Sequence, residues 1–259
     1  MSELNPTLGI CEEMRPQYEK GADLEVGRLR TLSSNMTKSP ELRYVFIKKV
    51  YFILTLQLAL TVAVAIMVIL VKLVSHIFVS SGAGLARLGV YICLSILPLI
   101  FLCPLCYIYQ ERHFNFLLLG LFTVSTSFAV GMTRASTNGK VILEAAILTA
   151  VVVLSLTLYT FWAARRGHDL NFLGPFLFAA LWVVLVFALI QILFPLGKLS
   201  TMIYGGPAAM VFSDYIVYET NNLIKLYSYD LYIWAAISLY LDILNLFLSL
   251  LTLFRAADS

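Results

Sequence analysis

The chain has few charges for its length. Only 13% of its 259 residues are Asp, Glu, Lys or Arg, whereas 60% are hydrophobic. Soluble domains carry about 25% charged residues, so this composition excludes an ordinary soluble domain and indicates apolar segments that span a membrane. The formal net charge of +3 is too small, and its sites too scattered, for a nucleic-acid-binding surface.

Residues for metal or nucleophilic chemistry are also scarce. The 3 histidines fall in different predicted loops and form no metal-binding pattern. No Gly-x-Ser-x-Gly sequence and no phosphate loop is present. Cys103 and Cys106 match Cys-x-x-Cys inside an apolar run, where a thiol is poorly ionised, so packing is favoured over redox chemistry. The sequence therefore predicts no cofactor and no enzyme.

Long apolar segments occupy most of the chain. Residues 1–43 carry charges of both signs without a sustained period and are predicted to be a disordered cytosolic tail. A membrane domain follows at 44–254, and 255–259 form a short C-terminal tail. The predicted spans are roughly Val50–Val71, Leu88–Tyr109, Phe116–Thr133, Val141–Ala164, Phe172–Phe194, Leu199–Thr220 and Leu231–Phe254. The expected fold is an all-α, seven-span integral membrane bundle.

The orientation follows from the Lys and Arg residues in the short loops. One side has a slight excess of these residues, and the other basic residues of the tail increase it. The basic residues near the spans on this side are Arg43, Lys48, Lys49, Arg112, Arg165, Arg166 and Lys225. Basic loops stay in the cytosol, so the N-terminus is placed there. No secretory signal peptide is expected, and the first span would act as its own signal anchor. The sequon Asn35-Met-Thr37 should then stay unmodified.

Two acids lie inside apolar segments near the C-terminus. Glu219 is in predicted span six and Asp242 in span seven. A carboxylate at the centre of a membrane helix costs roughly 2.5–3.5 kcal/mol, so such groups usually face the bundle interior and have a partner. If the chain reverses between Asp230 and Leu231, both acids lie at one depth, about 17 Å from the turn in a ~30 Å layer.

Three further polar residues are candidates for an ion pathway or for supporting contacts. Asp214 precedes Glu219 by five residues, so it either lines the same cavity or bonds to Ser213 and the backbone. Asn245 follows Asp242 by three residues and would cap the same polar cluster. Gln57 on span one is either a partner of the acids or makes a single interhelical hydrogen bond. Glu144 is expected to pair locally with Lys140.

Two neighbouring carboxyl groups in a low-dielectric interior cannot both ionise cheaply, so the pair titrates as a unit. With one proton it would hydrogen-bond across spans six and seven. Without a proton it would repel or recruit a cation, and hard oxygen ligands suit Ca²⁺ transiently. Glu219 and Asp242 are therefore the predicted pH sensor and gate. The alternative is a hydrogen bond that only fixes the register of two helices.

Several runs resemble the Bax-inhibitor/Lifeguard family of seven-span membrane proteins, above all its plant Lifeguard members. They are Phe46-Ile-Lys-Lys-Val-Tyr51, His113-Phe-Asn115, Phe128-Ala-Val-Gly131, Tyr215-Ile-Val-Tyr-Glu219-Thr-Asn-Asn-Leu-Ile-Lys225 and Leu239-Tyr-Leu-Asp242-Ile-Leu-Asn-Leu-Phe247. The resemblance implies a bundle with helix seven central. It implies proteins that suppress programmed cell death and lower the calcium content of internal stores.

The resemblance also carries a site. Bacterial relatives conduct calcium in a pH-dependent way through paired carboxylates on helices six and seven, which correspond to Glu219 and Asp242. Two departures stand out: the family usually has aspartate at the first position, and its arginine latch on the second helix has no counterpart between Arg87 and Arg112.

The resulting expectation is a pH-sensitive calcium leak in an internal membrane that restrains cell death. The endoplasmic reticulum or Golgi is expected first, and the vacuolar or plasma membrane second. Its expected partners are the lipid bilayer and calcium ions. The alternative is a non-conducting regulator that binds other membrane proteins.

Overall fold

A computed structural model describes residues 40–70, 97–98, 100, 112–134, 137–168, 172–194, 197–227 and 231–258. Within them lie six helices: α1 (Pro40–Leu70), α2 (Arg112–Arg134), α3 (Gly139–Arg165), α4 (Leu173–Leu193), α5 (Lys198–Lys225) and α6 (Tyr232–Asp258). No strand occurs in these ranges. The six helices correspond to predicted spans one and three to seven. Apart from residues 97, 98 and 100, which are helical, predicted span two lies outside the described residues, and so does the tail before residue 40.

Four helices contain stretches long and apolar enough to cross a membrane, and they make this a multi-pass membrane protein. These stretches are Arg43–Met67, Gly139–Arg165, Leu173–Gln191 and Tyr232–Asp258. Helix α2 has a shorter apolar stretch, Phe116–Gly131. A helix satisfies all of its internal backbone hydrogen bonds, which is why such segments fold this way in lipid. Helix α5 contains several polar residues along its length, among them Asp214, Glu219, Asn221 and Asn222.

Helix α6 is the central helix of the described bundle. It packs against α1, α3 and α5, and half of its apolar stretch is buried, against 11% for α4. Large apolar side chains on α3 and α4 point outward instead, among them Leu158 and Val183, which are 70% and 69% exposed. Such outward faces suit contact with lipid. The central position of the last helix agrees with the family resemblance.

The α5–α6 connection lies at the same end of the bundle as the start of α1. The Arg43 guanidinium donates a hydrogen bond to the Ile224 carbonyl near the end of α5. The Lys49 ammonium lies 3.4 Å from the centre of the Tyr232 ring at the start of α6. Two cationic side chains of α1, Arg43 and Lys49, therefore connect this helix to the end of α5 and the start of α6.

The opposite end of α6 lies at the other side of the bundle. Asn138, just before α3, donates to the Asp258 carboxylate over 3.1 Å, whereas the far end of α3 is tied to α5 through a 2.6 Å hydrogen bond from Lys225 to the His168 carbonyl. Because α6 is continuous from Tyr232 to Asp258, it runs from one end of the bundle to the other.

Helix α5 starts at Lys198, one residue before predicted span six, and remains helical through Pro207. Gly205 is needed for close packing, because a Cβ atom there would lie 3.0 Å from the Ser249 carbonyl oxygen and 3.1 Å from the Leu253 backbone nitrogen. The two helices therefore approach closely at this point.

Candidate functional site

Contacts at both ends of the α5–α6 hairpin fix its antiparallel register. Near the connection, Ser238 donates to Glu219 over 3.3 Å. Farther along, Gly205 faces Ser249. Asp242 follows Ser238 by four residues, which is about 6 Å along the helix axis. Glu219 and Asp242 therefore differ in depth by about one helical turn, and the expectation of equal depth was wrong by that amount.

The Glu219 carboxylate points toward the connection. Its Oε2 atom accepts a 2.7 Å hydrogen bond from the Tyr227 hydroxyl and the longer one from Ser238. The side chain is half-buried. Two donors on one oxygen hold the carboxylate in place, and hydrogen bonds of this kind favour the charged form.

Asp242 has a different environment. Its carboxylate lies within Coulombic reach of Glu219. Its Oδ2 atom is buried and has no hydrogen-bond partner, and no hydrogen bond joins it to Glu219 within the described part of the chain. Tyr215 on α5 lies close enough to both acids to interact with their charges. The structure thus brings the predicted pair into electrostatic contact without a direct bond.

The Tyr227 phenol is the titratable group of the site that lies outside the helices. Burial, with a further contribution from the Glu219 carboxyl, raises the pKa of Tyr227 above its ordinary value. Tyr227 therefore remains protonated at neutral pH and acts as a hydrogen-bond donor.

The other predicted residues do not join the acids. Asp214 is exposed on the surface of α5, and no hydrogen bond joins it to either acid in the described ranges. The Asn245 carbonyl accepts a 2.7 Å bond from Ser249, and no hydrogen bond from its side chain reaches Asp242 in the described ranges. Lys140 and Glu144 form the expected local ion pair at 3.9 Å.

Gln57 belongs to a second group of buried polar residues, which we name the polar seam: Gln57, Thr61, Thr123 and Tyr240. Gln57 Nε2 donates to Thr123 Oγ1 over 3.2 Å, and the Thr61 and Tyr240 hydroxyl groups lie 2.8 Å apart. Tyr240 and Asp242 are two residues apart on α6, about 200° around the helix, so they face opposite sides. The interhelical hydrogen bond is therefore observed for Gln57, and a bond to the acids is not.

Tyr227 and Ser238 are site residues that sequence reasoning missed. Ser238 precedes Asp242 by four residues, close to one 3.6-residue helical turn, and that spacing is a signal for a shared face. Tyr227 lies beyond the end of α5, so its approach to Glu219 depends on the turn and not on the helical period. By sequence, a tyrosine at this place is equally typical of the aromatic belt at a membrane surface.

The fold and the site define a class: a multi-pass helical membrane protein with ionisable carboxyl groups between its central helix and a neighbour. The family model described as "Inhibitor of apoptosis-promoting Bax1" matches residues 43–259. The chain belongs to this Bax-inhibitor family, which confirms the resemblance seen in the sequence.

Several relatives match over nearly their whole length. Protein LIFEGUARD 4 of Arabidopsis thaliana is 62% identical over 239 residues, covering 91% of this chain and 96% of the relative. Protein LIFEGUARD 2 of the same plant is 63% identical over 224 residues, covering 86% of this chain and 92% of the relative. The Golgi anti-apoptotic protein of Vaccinia virus (strain Lister) is 31% identical over 98% of both chains.

Proposed function

We propose that this chain is a pH-sensitive calcium leak of an internal membrane, that it restrains programmed cell death, and that Glu219 and Asp242 are its sensor and gate. The observation that carries the proposal is the placement of two carboxyl groups within Coulombic reach of each other between α5 and the central helix α6. Ionisable groups inside a membrane bundle are costly and usually serve an ion or proton pathway.

The pair supplies a physical basis for the pH response. When it holds one proton, only one of the two groups is charged, so α5 and α6 pack without repulsion between the acids. When the proton leaves, the two charges repel in a low-dielectric interior. The helices then separate, or a cation enters and neutralises the charge. Because the hairpin includes the central helix, a small movement here changes the packing of α1 and α3.

Calcium suits the site because its ligands are hard oxygens. The buried Asp242 Oδ2 atom has no hydrogen-bond donor and is the oxygen most available to a cation. No group of three or more His, Cys, Asp or Glu side chains that could hold a metal occurs in the described ranges. Two carboxylates support weak, transient binding, as a leak requires, and not a storage site.

The relatives support the cellular part of the proposal. The Vaccinia relative is named as an anti-apoptotic protein of the Golgi, and its match covers 98% of this chain. We therefore propose the Golgi or a connected internal membrane as the location of this protein. A fluorescent fusion should overlap with a Golgi marker, and labelling confined to the plasma membrane would contradict this location.

Flux in liposomes tests the conducting function. The full chain is reconstituted with a calcium dye inside the vesicles, and the initial rate is measured across neutral pH. Wild type should leak calcium at a rate that changes with pH, and Glu219→Gln and Asp242→Asn should each flatten that profile. Asp214→Asn is the matched control, since its carboxyl is exposed, and should keep the wild-type profile.

One outcome would favour the non-conducting alternative. If no variant and no pH gives calcium flux above that of empty liposomes, while the same protein still protects cells from death, the leak is wrong. A regulator that binds other membrane proteins would then account for the protection.

A further inference from the structure

We propose that the polar seam binds a water molecule, which donates one hydrogen bond to Gln57 Oε1 and a second one to the Tyr240 hydroxyl oxygen. The site lies between α1, α2 and α6, on the side of the central helix that faces away from the two acids. The carrying observation is that Gln57 Oε1 accepts no hydrogen bond within the described part of the chain, although Gln57 is only 4% exposed. Water binding here is independent of calcium conduction.

The seam has two levels, one helical turn apart. At the first level, Gln57 of α1 donates to Thr123 of α2 over 3.2 Å. At the second level, the Thr61 hydroxyl of α1 lies 2.8 Å from that of Tyr240, and Ser127 of α2 is also within hydrogen-bonding reach of Tyr240. Each of the two helices advances by four residues between the levels. Helices α1 and α2 therefore run parallel and in register here, with about 6 Å from one level to the next.

The orientation of the Gln57 amide follows from the hydrogens available to it. Thr123 uses its hydroxyl hydrogen on the Leu119 carbonyl over 2.8 Å, so toward Gln57 it can only accept a bond. The amide nitrogen must therefore face Thr123, and the amide oxygen points elsewhere. A buried amide oxygen without a donor has lost its contact with water and gained nothing in return, and such groups in proteins nearly always have a partner.

Within the described helices, the hydroxyl groups of the seam cannot supply the missing hydrogen. Thr61 donates to the Gln57 backbone carbonyl over 2.8 Å, and Tyr240 must then donate to Thr61. The neighbouring Ser127 donates to the Thr123 carbonyl. All of these hydroxyl hydrogens are thus used, whereas a lone pair remains on the Tyr240 oxygen. The seam has more acceptors than hydroxyl hydrogens, so it suits a molecule that donates hydrogen bonds.

Water is the donor that fits this place. A water molecule that donates two hydrogen bonds of about 2.8 Å spans the distance of about 6 Å between the two levels. Buried waters typically make about three hydrogen bonds to groups that otherwise lack partners. The seam residues are all uncharged, so a metal cation or an ammonium group would lie there without a counter-charge. A neutral donor avoids that cost.

Removal of the amide oxygen should release the water without unfolding the bundle. Gln57→Leu takes the acceptor away, and Thr123 keeps its bond to the Leu119 carbonyl, so no hydroxyl hydrogen loses its partner. Gln57→Met has a similar reach and no oxygen, and it is a second variant of the same contact. Gln191→Leu is the matched control, because the Gln191 amide of α4 bonds to Ser200 and not to the seam.

Radiolytic labelling of the full chain in liposomes tests the site. A short X-ray pulse converts water into hydroxyl radicals, which oxidise nearby aromatic side chains, and mass spectrometry locates the added oxygen. Tyr240 is 0% exposed, so bulk solvent does not reach it and a label there reports internal water. The dose is normalised to an added peptide, and retained folding is checked by helicity and by the thermal transition.

We expect oxidation of Tyr240 in wild type and in Gln191→Leu, and loss of that label in Gln57→Leu and Gln57→Met. An unlabelled Tyr240 in wild type overturns the inference. A label that persists in either folded Gln57 variant does the same, because the water is then held without the amide oxygen. Unfolding of both Gln57 variants contradicts the hydrogen-bond pattern on which the site rests. Labelling is read without calcium, so the absence of a leak in the flux assay leaves this result unchanged.

Discussion

Thr61 shows how one hydroxyl group fixes the direction of hydrogen bonds in the interior. Its Oγ1 atom donates its hydrogen to the Gln57 carbonyl over 2.8 Å, as threonines inside helices commonly do. The hydrogen between Thr61 and Tyr240 must then come from the tyrosine. Since Tyr240 lies on the central helix and is fully buried, this bond ties α6 to α1 across the polar seam.

Loss of the Tyr240 hydroxyl should therefore weaken the bundle. Tyr240→Phe is expected to lower the free energy of unfolding by about 1 kcal/mol, the size measured for hydrogen bonds between membrane helices. The measurement is equilibrium unfolding in mixed detergent micelles. Tyr159→Phe is the control, because Tyr159 is 52% exposed on α3 and should change nothing. Equal effects of the two substitutions would contradict a specific α1–α6 bond.

For single residues, the sequence identified the buried carboxyl groups but not their hydrogen-bond partners. Glu219 and Asp242 could be found because carboxyl groups are rare and costly inside apolar segments. Tyr227 could not, since tyrosine is common at membrane surfaces and its role depends on where a loop turns. The partner of Gln57 could not be predicted either, because one amide on one helix does not show which neighbour it faces.

The α5–α6 pair is the element on which the site depends, and Gly205 controls its packing. A methyl group at residue 205 would meet backbone atoms of α6, which cannot rotate away as a side chain would. The two helices must move apart to accept it. Close approach of this kind at small residues is a general feature of helix packing in membranes.

Gly205→Ala should destabilise the hairpin, whereas Gly206→Ala should not. Overpacking costs typically about 1–3 kcal/mol. At Gly206 a Cβ atom would have no neighbour within 4 Å, so the substitution there is matched in chemistry and differs in contact. Thermal unfolding of the two variants decides between them. A loss of stability at both positions, or at Gly206 alone, would contradict the described packing.

The register of this hairpin shows why helices were easier to predict than their alignment. Apolar runs predicted the ends of α2–α6 to within about five residues, because length and hydrophobicity alone define a span. The start of α1 at Pro40 was missed, since its first ten residues are more polar than the rest of the helix. The reversal was placed between Asp230 and Leu231, but α5 ends at Lys225 and α6 begins at Tyr232. Moving the turn by one residue changes which residues face each other across antiparallel helices by two residues. An error of about two residues in the position of the turn therefore becomes an offset of about four residues. That accounts for the one-turn offset between Glu219 and Asp242.

For the whole molecule, the described helices place the start of α1 and the end of α6 at opposite ends. The start of α1 meets the end of α5 through Arg43, whereas the end of α6 meets the start of α3 through Asp258. If α6 crosses the membrane completely, the two termini lie on different sides.

A glycosylation test distinguishes the arrangements. Asn35 should remain unmodified, and a sequon added after Ser259 through a flexible linker should be modified, because only the lumenal side carries the transferase. The readout is a mobility shift that a glycosidase reverses. Modification at both sites, or at Asn35 alone, would contradict the proposed topology with a cytosolic N-terminus.

The central claim is that Glu219 and Asp242 act as one unit, and a double-substitution cycle on calcium flux tests it most directly. Flux against pH is measured in liposomes for wild type, for Glu219→Gln, for Asp242→Asn and for the two combined. Groups that share one function are strongly non-additive. The account predicts that each single variant already has a flat pH profile and that the double variant adds no further change. Two single variants that each keep part of the pH response, with losses that simply add in the double variant, would contradict it.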